Sequence, residues 1–166
     1  MNLFRHRHFG LPALSVLSLL PLLIVTGCSS TDGAPTAAVP SPDAKVTKMC
    51  RKLHDLLPQK VEGHGRNDPE PHSELTAAWG SPAIILRCGV AWPSAMADKD
   101  TLPATVNGVG WGVEKLDDGA QRMYTALRQA YVEVTIPKEL VARDGAAPLV
   151  DLAGPIKKAI PKGIAD

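Results

Sequence analysis

Apolar side chains recur along this chain with two different periods, and the change of period divides it into elements. Val46, Cys50, Leu53 and Leu57 fall three or four residues apart and form one stripe, the pattern of a helix with one buried face. Ser41 is placed to cap that helix, Pro42 to occupy its first turn, Asp43 to meet the positive end of its dipole and Pro58 to stop it. Residues 59–73, "QKVEGHGRNDPEPHS", hold almost nothing apolar and are crowded with glycine and proline, which predicts a long polar loop.

From there the period becomes two. In "AIILRCGV", Ile84, Leu86, Cys88 and Val90 share one face and Ala83, Ile85, Arg87 and Gly89 the other, so this reads as a central strand with its second face partly covered. Beyond a Pro/Ala/Asp segment, "VNGVGWGVEKL" reads as another strand with Val109, Trp111 and Val113 pointing one way. Asp118-Gly119 signals a hairpin, and "AQRMYTAL" would be the return strand. "YVEVTIP" alternates again, Val132, Val134 and Ile136 inward, Tyr131, Glu133 and Thr135 outward. The tail from Pro148 to Ile160 returns to near-helical spacing through Leu149, Leu152, Ile156 and Ile160, with Pro155 expected to kink or split it. Helix, loop, strands and helix in this order predict an α+β fold. About four antiparallel strands would form a meander-like sheet, with an N-terminal and a C-terminal helix packed on it.

The N-terminal end follows neither period. Arg5 and Arg7 precede an apolar run from Leu11 to Val25 that is short for a membrane span of roughly 20 residues and fits the core of an export signal. It ends in Val25, Thr26, Gly27 and Cys28, which resemble the lipobox of bacterial lipoproteins. This reading divides the chain into a signal peptide (1–27), a lipidated Cys28 with a flexible tether (28–40) and one extracytoplasmic domain (41–166). A diacylglyceryl group on Cys28 would hold that domain at the outer face of the cytoplasmic membrane. Cleavage removes two arginines and no acid, leaving 16 basic against 17 acidic side chains, a balance with no electrostatic footprint for nucleic acid.

Cleavage and lipidation leave two cysteines for chemistry. Cys50 and Cys88 lie on the apolar stripes of a helix and a strand that should pack together, outside the reducing cytoplasm, and a disulfide between them is expected. The competing reading, a Cys88 thiolate activated by Arg87, suffers from strand alternation, which sends those neighbours to opposite faces. Gly108, Gly110 and Gly112 alternate within an expected strand rather than opening a helix, which argues against a phosphate loop; packing is the plain reading, a ligand floor the other. His64 and His72 could ligate a metal with the acidic residues of the loop, but their spacing matches no established ligand set and no metal or cofactor is assigned. Trp79, Trp92 and Trp111 are core by default, an aromatic shelf for a glycan or peptide being the other reading, and Trp79 and Trp111 together with Arg87, His64 and His72 make the possible binding surface. No catalytic set is expected.

The block "AAWGSPAIILRCGV", followed by Pro93 and "NGVGW" and preceded by a lipobox and a short cysteine-bearing helix, resembles an actinobacterial family of exported proteins with a DUF3515-type domain of unknown function. The resemblance implies an envelope protein and carries no active site onto these residues. The function expected is therefore a non-catalytic envelope lipoprotein that binds a protein or a cell-wall component. An envelope hydrolase or metal-dependent enzyme using the 59–73 loop, and a small-ligand binder using the glycine column and Trp111, are the alternatives.

Overall fold

The computed structural model describes residues 33–165. The signal peptide and Cys28 expected from the sequence lie outside them. Residues 32–166 form one compact unit that holds the whole apolar core and its disulfide.

The first helix, α1, is Ala44–Leu56, and its cap is Asp43 rather than Ser41. One Asp43 carboxylate oxygen accepts from the Lys45 and Val46 amides at 2.7 and 2.9 Å, satisfying two donors that a helix start leaves open. The expected stripe is the buried one, with Cys50 and Leu53 closed off completely. The segment 59–73 is not simply a loop. Two short strands, β1 (Lys60–Val61) and β2 (His64–Gly65), form a hairpin through Glu62 and Gly63, both at positive φ, and Val61 is fully buried. One buried valine and a Glu-Gly turn suffice to fold it, although its composition is that of a loop.

Six antiparallel strands make the main sheet, in the order β3-β4-β8-β7-β6-β5. They are β3 (Thr76–Trp79), β4 (Ile84–Cys88), β5 (Leu102–Val106), β6 (Val109–Lys115), β7 (Gln121–Ala126) and β8 (Val132–Ile136). The α+β class and antiparallel sheet are as expected, but the strand count is higher and the meander incomplete. β5 to β8 run as a meander; β8 then pairs with β4, while the β4–β5 connection crosses to the far edge of the sheet. Asn107 and Gly108, both at positive φ, are the turn between β5 and β6 and not strand interior, so the glycine column is reduced to Gly110 and Gly112. The Asp118-Gly119 turn joins β6 to β7 as expected.

One face of the sheet carries Ile84, Leu86, Cys88, Trp111, Met123, Val132, Val134 and Ile136, all buried. Helix α3 (Pro148–Ala159) and α1 lie over this face and against each other. α3 runs unbroken through Pro155, because Leu149, Leu152, Ala153 and Ile156 are all fully buried; their packing outweighs a local proline penalty of roughly 3 kcal/mol. A further short helix, α2 (Lys138–Asp144), follows β8. Where α1 meets β4, Cys50 and Cys88 are joined in a disulfide with a Cα separation of 5.5 Å. The expected tether is also corrected at its end. Ala37 donates to the Glu70 carbonyl at 3.1 Å, and Ala37 and Pro40 are buried, so packing onto the domain begins before Ser41.

Candidate functional site

The second face of the sheet is the one the helices leave uncovered, and it decides the place of Arg87. Cross-strand register puts Arg87, Glu133, Tyr124 and Gly112 in one row across β4, β8, β7 and β6. Arg87 donates to Glu133 Oε1 at 3.0 Å and, through Nε, to the Ala38 carbonyl at 2.8 Å. Its guanidinium therefore pins the N-terminal segment across the sheet, and the buried Glu133 carboxylate supplies the opposite charge that such burial requires. In the next row Arg122 lies across from Glu114, and the Tyr124 hydroxyl donates to the same Glu114 carboxylate at 3.0 Å. Burial, above all, raises the Tyr124 phenol. Arg122 pulls the other way, and the Glu114 hydrogen bond with the Glu133 and Glu114 charges leaves it above its ordinary value. This band is an interlinked polar network in which the buried Arg122 Nε is left without a hydrogen-bond partner. At Gly112 an added Cβ would stand 2.3 Å from the Met96 sulfur, so Gly112 is a packing floor for the 3₁₀ turn Ser94–Ala97, whereas Gly110 meets only Ala126.

The residues named from the sequence as a binding surface do not come together. Trp79 and Trp111 are buried on the helix-covered face, and the Trp79 indole donates to the Pro58 carbonyl at 2.9 Å. Neither can offer a shelf to a ligand. Alternation with Val109 and Val113 already assigned Trp111 to the core. His64 packs against Gly80, and its Nε2 lies 2.9 Å from an Arg143 nitrogen. His72 is exposed, and no group of three or more His, Cys, Asp or Glu side chains among the described residues could hold a metal ion. Arg87 sits on the uncovered face, with Nε and Nη1 engaged as above. Cys88 is in the disulfide, so the thiolate reading is closed.

What does converge was, Trp92 apart, not singled out in the sequence. Trp92, Leu127 and Ile164 are 59%, 77% and 80% exposed, and all three line one cavity of about 280 Å³ with Met96, Arg128 and Tyr131. A second cavity of about 510 Å³ adjoins it through Leu127, Arg128 and Ile164 and extends to Gly110 and Lys162. The three apolar side chains come from three segments: the loop after β4, the β7–β8 connection and the C-terminal tail. Backbone bonds tie the last two together, Gly163 N–H to the Leu127 carbonyl and Gln129 N–H to the Pro161 carbonyl, each at 3.1 Å. Trp92 stands edge-on to Tyr131 with ring centroids 5.5 Å apart. Arg128 is buried beneath them, donating to the Ile160 carbonyl at 2.8 Å and the Gly108 carbonyl at 3.4 Å, and desolvation lowers its pKa. No described carboxylate pairs with it. Large exposed apolar groups grouped in this way mark an interaction site more often than a lone exposed leucine does.

A family model described as a protein of unknown function (DUF3515) matches residues 11–164, nearly the whole chain. No curated protein and no solved structure matches it.

Proposed function

The chain belongs to the DUF3515 family, and from that premise we propose that it is a membrane-anchored, extracytoplasmic lipoprotein whose folded domain is a non-catalytic binding module. The observation that carries the binding role is the convergence of Trp92, Leu127 and Ile164 at one end of the sheet, in a domain whose remaining large apolar side chains are mostly buried. Arg87, Glu133, Tyr124 and Glu114 on the second face bond to one another or to the N-terminal segment, which favours a scaffold over a reaction centre. Val25–Cys28 supports the anchor, and the Cys50–Cys88 disulfide accords with an oxidising compartment.

Two experiments test the reading. Metabolic labelling with a clickable fatty acid in a lipoprotein-processing bacterium should mark the wild-type chain and not Cys28→Ser; equal labelling of both would remove the anchor. A photo-crosslinking amino acid at position 92, in intact cells, should give discrete adducts with lipid or protein. The same group at the exposed position 52 on α1 should not. Equal or absent adducts at the two positions would refute the binding role of this end of the domain.

A further inference from the structure

We propose that the end of the domain formed by Trp92, Leu127 and Ile164 docks on the bilayer itself, an anionic lipid surface, with the three side chains entering the interface and Lys162 meeting the headgroups. This rests on the anchored-module reading and names the partner of that site.

Three features favour a lipid surface over a protein. First, the side chains stand out from the fold rather than lining a closed trough, and each comes from a different loop or tail segment. Projecting apolar tips can enter a fluid interface without a complementary partner, and Trp92 beside Tyr131 is the aromatic pairing suited to the headgroup boundary. The tips are also held in place: Gly163 bonds to Leu127, and Arg128 bonds to Ile160. Little ordering entropy is then lost on docking.

Second, Lys162 is the exposed charged side chain that lines these cavities, since Arg128 lies buried beneath the tips, and no carboxylate lines either cavity among the described residues. Asp43 lies in the neighbouring cleft beyond Tyr131, where it caps α1. An exposed lysine beside apolar tips complements an anionic leaflet, with an attraction that salt screens.

Third, the chain that would join domain to lipid is short. Packing onto the domain is already under way at Thr36, which forms an isolated bridge with Glu70. About eight residues separate Cys28 from that point, a reach of at most roughly 27 Å. A compact unit of this size has a radius of gyration of about 14 Å, so the bilayer is always within one domain's width. The local lipid concentration seen by an exposed patch is then high, and even weak partitioning orients the domain.

The test uses the disulfide-bonded unit 32–166, which carries the complete core and lacks the apolar N-terminal run. It is mixed with vesicles of phosphatidylcholine alone or with phosphatidylglycerol. Trp79 and Trp111 are buried, so a change in tryptophan emission on binding reports Trp92. The expected result is co-sedimentation with the phosphatidylglycerol vesicles, a blue shift, and weakening of both by salt. Leu127→Glu and Ile164→Glu should each reduce partitioning by roughly tenfold or more, the share of one apolar side chain, while melting like the wild type. Lys162→Glu should reduce the preference for phosphatidylglycerol.

No binding to either vesicle, or binding that the two glutamate variants leave unchanged, overturns the inference. So does a blue shift that grows with protein concentration without vesicles, which would assign the patch to a second copy of the chain. If vesicles fail while position 92 still crosslinks to a protein in cells, the lipid partner is refuted and the binding module stands. If both fail, both fall.

Discussion

Arg87→Leu and Glu133→Leu, made singly and together, test whether the second face is held by the ion pair and whether that pair holds the N-terminal segment. The contact is 3.0 Å from Nη1 to Oε1. With about 4 Å between charge centres and an effective dielectric near 20, the attraction is about 4 kcal/mol. Two features reduce it. The Arg87 side chain is still 27% exposed, and the positive Arg122 remains close enough to Glu133 to act on it after Arg87 is gone. Discounting by half for screening gives a coupling energy of about 2 kcal/mol in a double-mutant cycle. Arg87→Leu alone leaves a carboxylate that is 6% exposed without its nearest cation, and should cost about 3 kcal/mol. The double variant should cost less than the two single losses summed. Urea unfolding of the four proteins, disulfide intact, measures these terms. Hydrogen exchange supplies a second readout: Arg87→Leu removes the donor to the Ala38 carbonyl, so the neighbouring Ala37 amide should exchange faster, and Glu133→Leu should change it less. A coupling below about 0.5 kcal/mol, within the scatter of independent sites, together with unchanged exchange at Ala37, would refute this account of Arg87.

Three further outcomes follow from the same structure. Reducing Cys50–Cys88, or replacing both by serine, frees a loop of sequence separation 38 and should lower stability by about 4 kcal/mol in the chain-entropy model, read as a lower urea midpoint; an unchanged midpoint would deny the bond a structural role. The chain has two tyrosines, and both phenols sit above the ordinary value, burial being the largest cause for each. The folded state therefore keeps protons that the unfolded chain loses near pH ~10, so this contribution to stability is complete below that pH and declines as pH rises through the folded values. Absorbance of the tyrosinate at alkaline pH should show a higher midpoint in buffer than in denaturant, and coincident midpoints would contradict the buried Tyr124 environment. Leu127→Gly should raise stability by about 1 kcal/mol, because φ there is 54° and a side chain is strained in that region; a loss of stability would mean that Leu127 packs in the folded state.

The elements with a clear period were legible. The helical stripe of α1 and the alternation of β4 and β8 each follow from residues that face one layer, and the two cysteines on those stripes are bonded. β5 was not legible, since Leu102-Pro103-Ala104-Thr105-Val106 has weak alternation and a proline that suits an edge strand only. Missing it hid the Asn107-Gly108 turn, which then passed for strand interior. The pairing of β4 with β8 joins residues nearly fifty positions apart and depends on the whole sheet, so local pattern could not supply it. The site was less legible still. Strand alternation places Arg87 on the second face, but its partners are a carboxylate on β8 and a carbonyl in a segment expected to be free. Trp92, Leu127 and Ile164 share no motif, and only the closed fold brings positions so distant in sequence to one end of the sheet.

Leu127 joins these observations. Among the described residues three non-glycine residues have positive φ, and two of them are explained by their turns: Glu62 and Asn107 each precede a glycine in a two-residue hairpin, where both central residues must be left-handed. Leu127 has no such excuse. It precedes Arg128, pays a conformational cost of roughly 1–2 kcal/mol, and recovers nothing from burial because its side chain is 77% exposed. Its carbonyl accepts the Gly163 amide, but any residue would supply that carbonyl, and glycine would do so without strain. A side chain held at a cost and contributing little to the core is the observation that motivates the docking proposed for this end of the domain. Trp92 and Ile164 stand beside it in the same condition, exposed and tied to the same cavity. The polar band around Arg87 ties the N-terminal segment across the sheet, and the cluster around Leu127 is where the proposed docking surface lies.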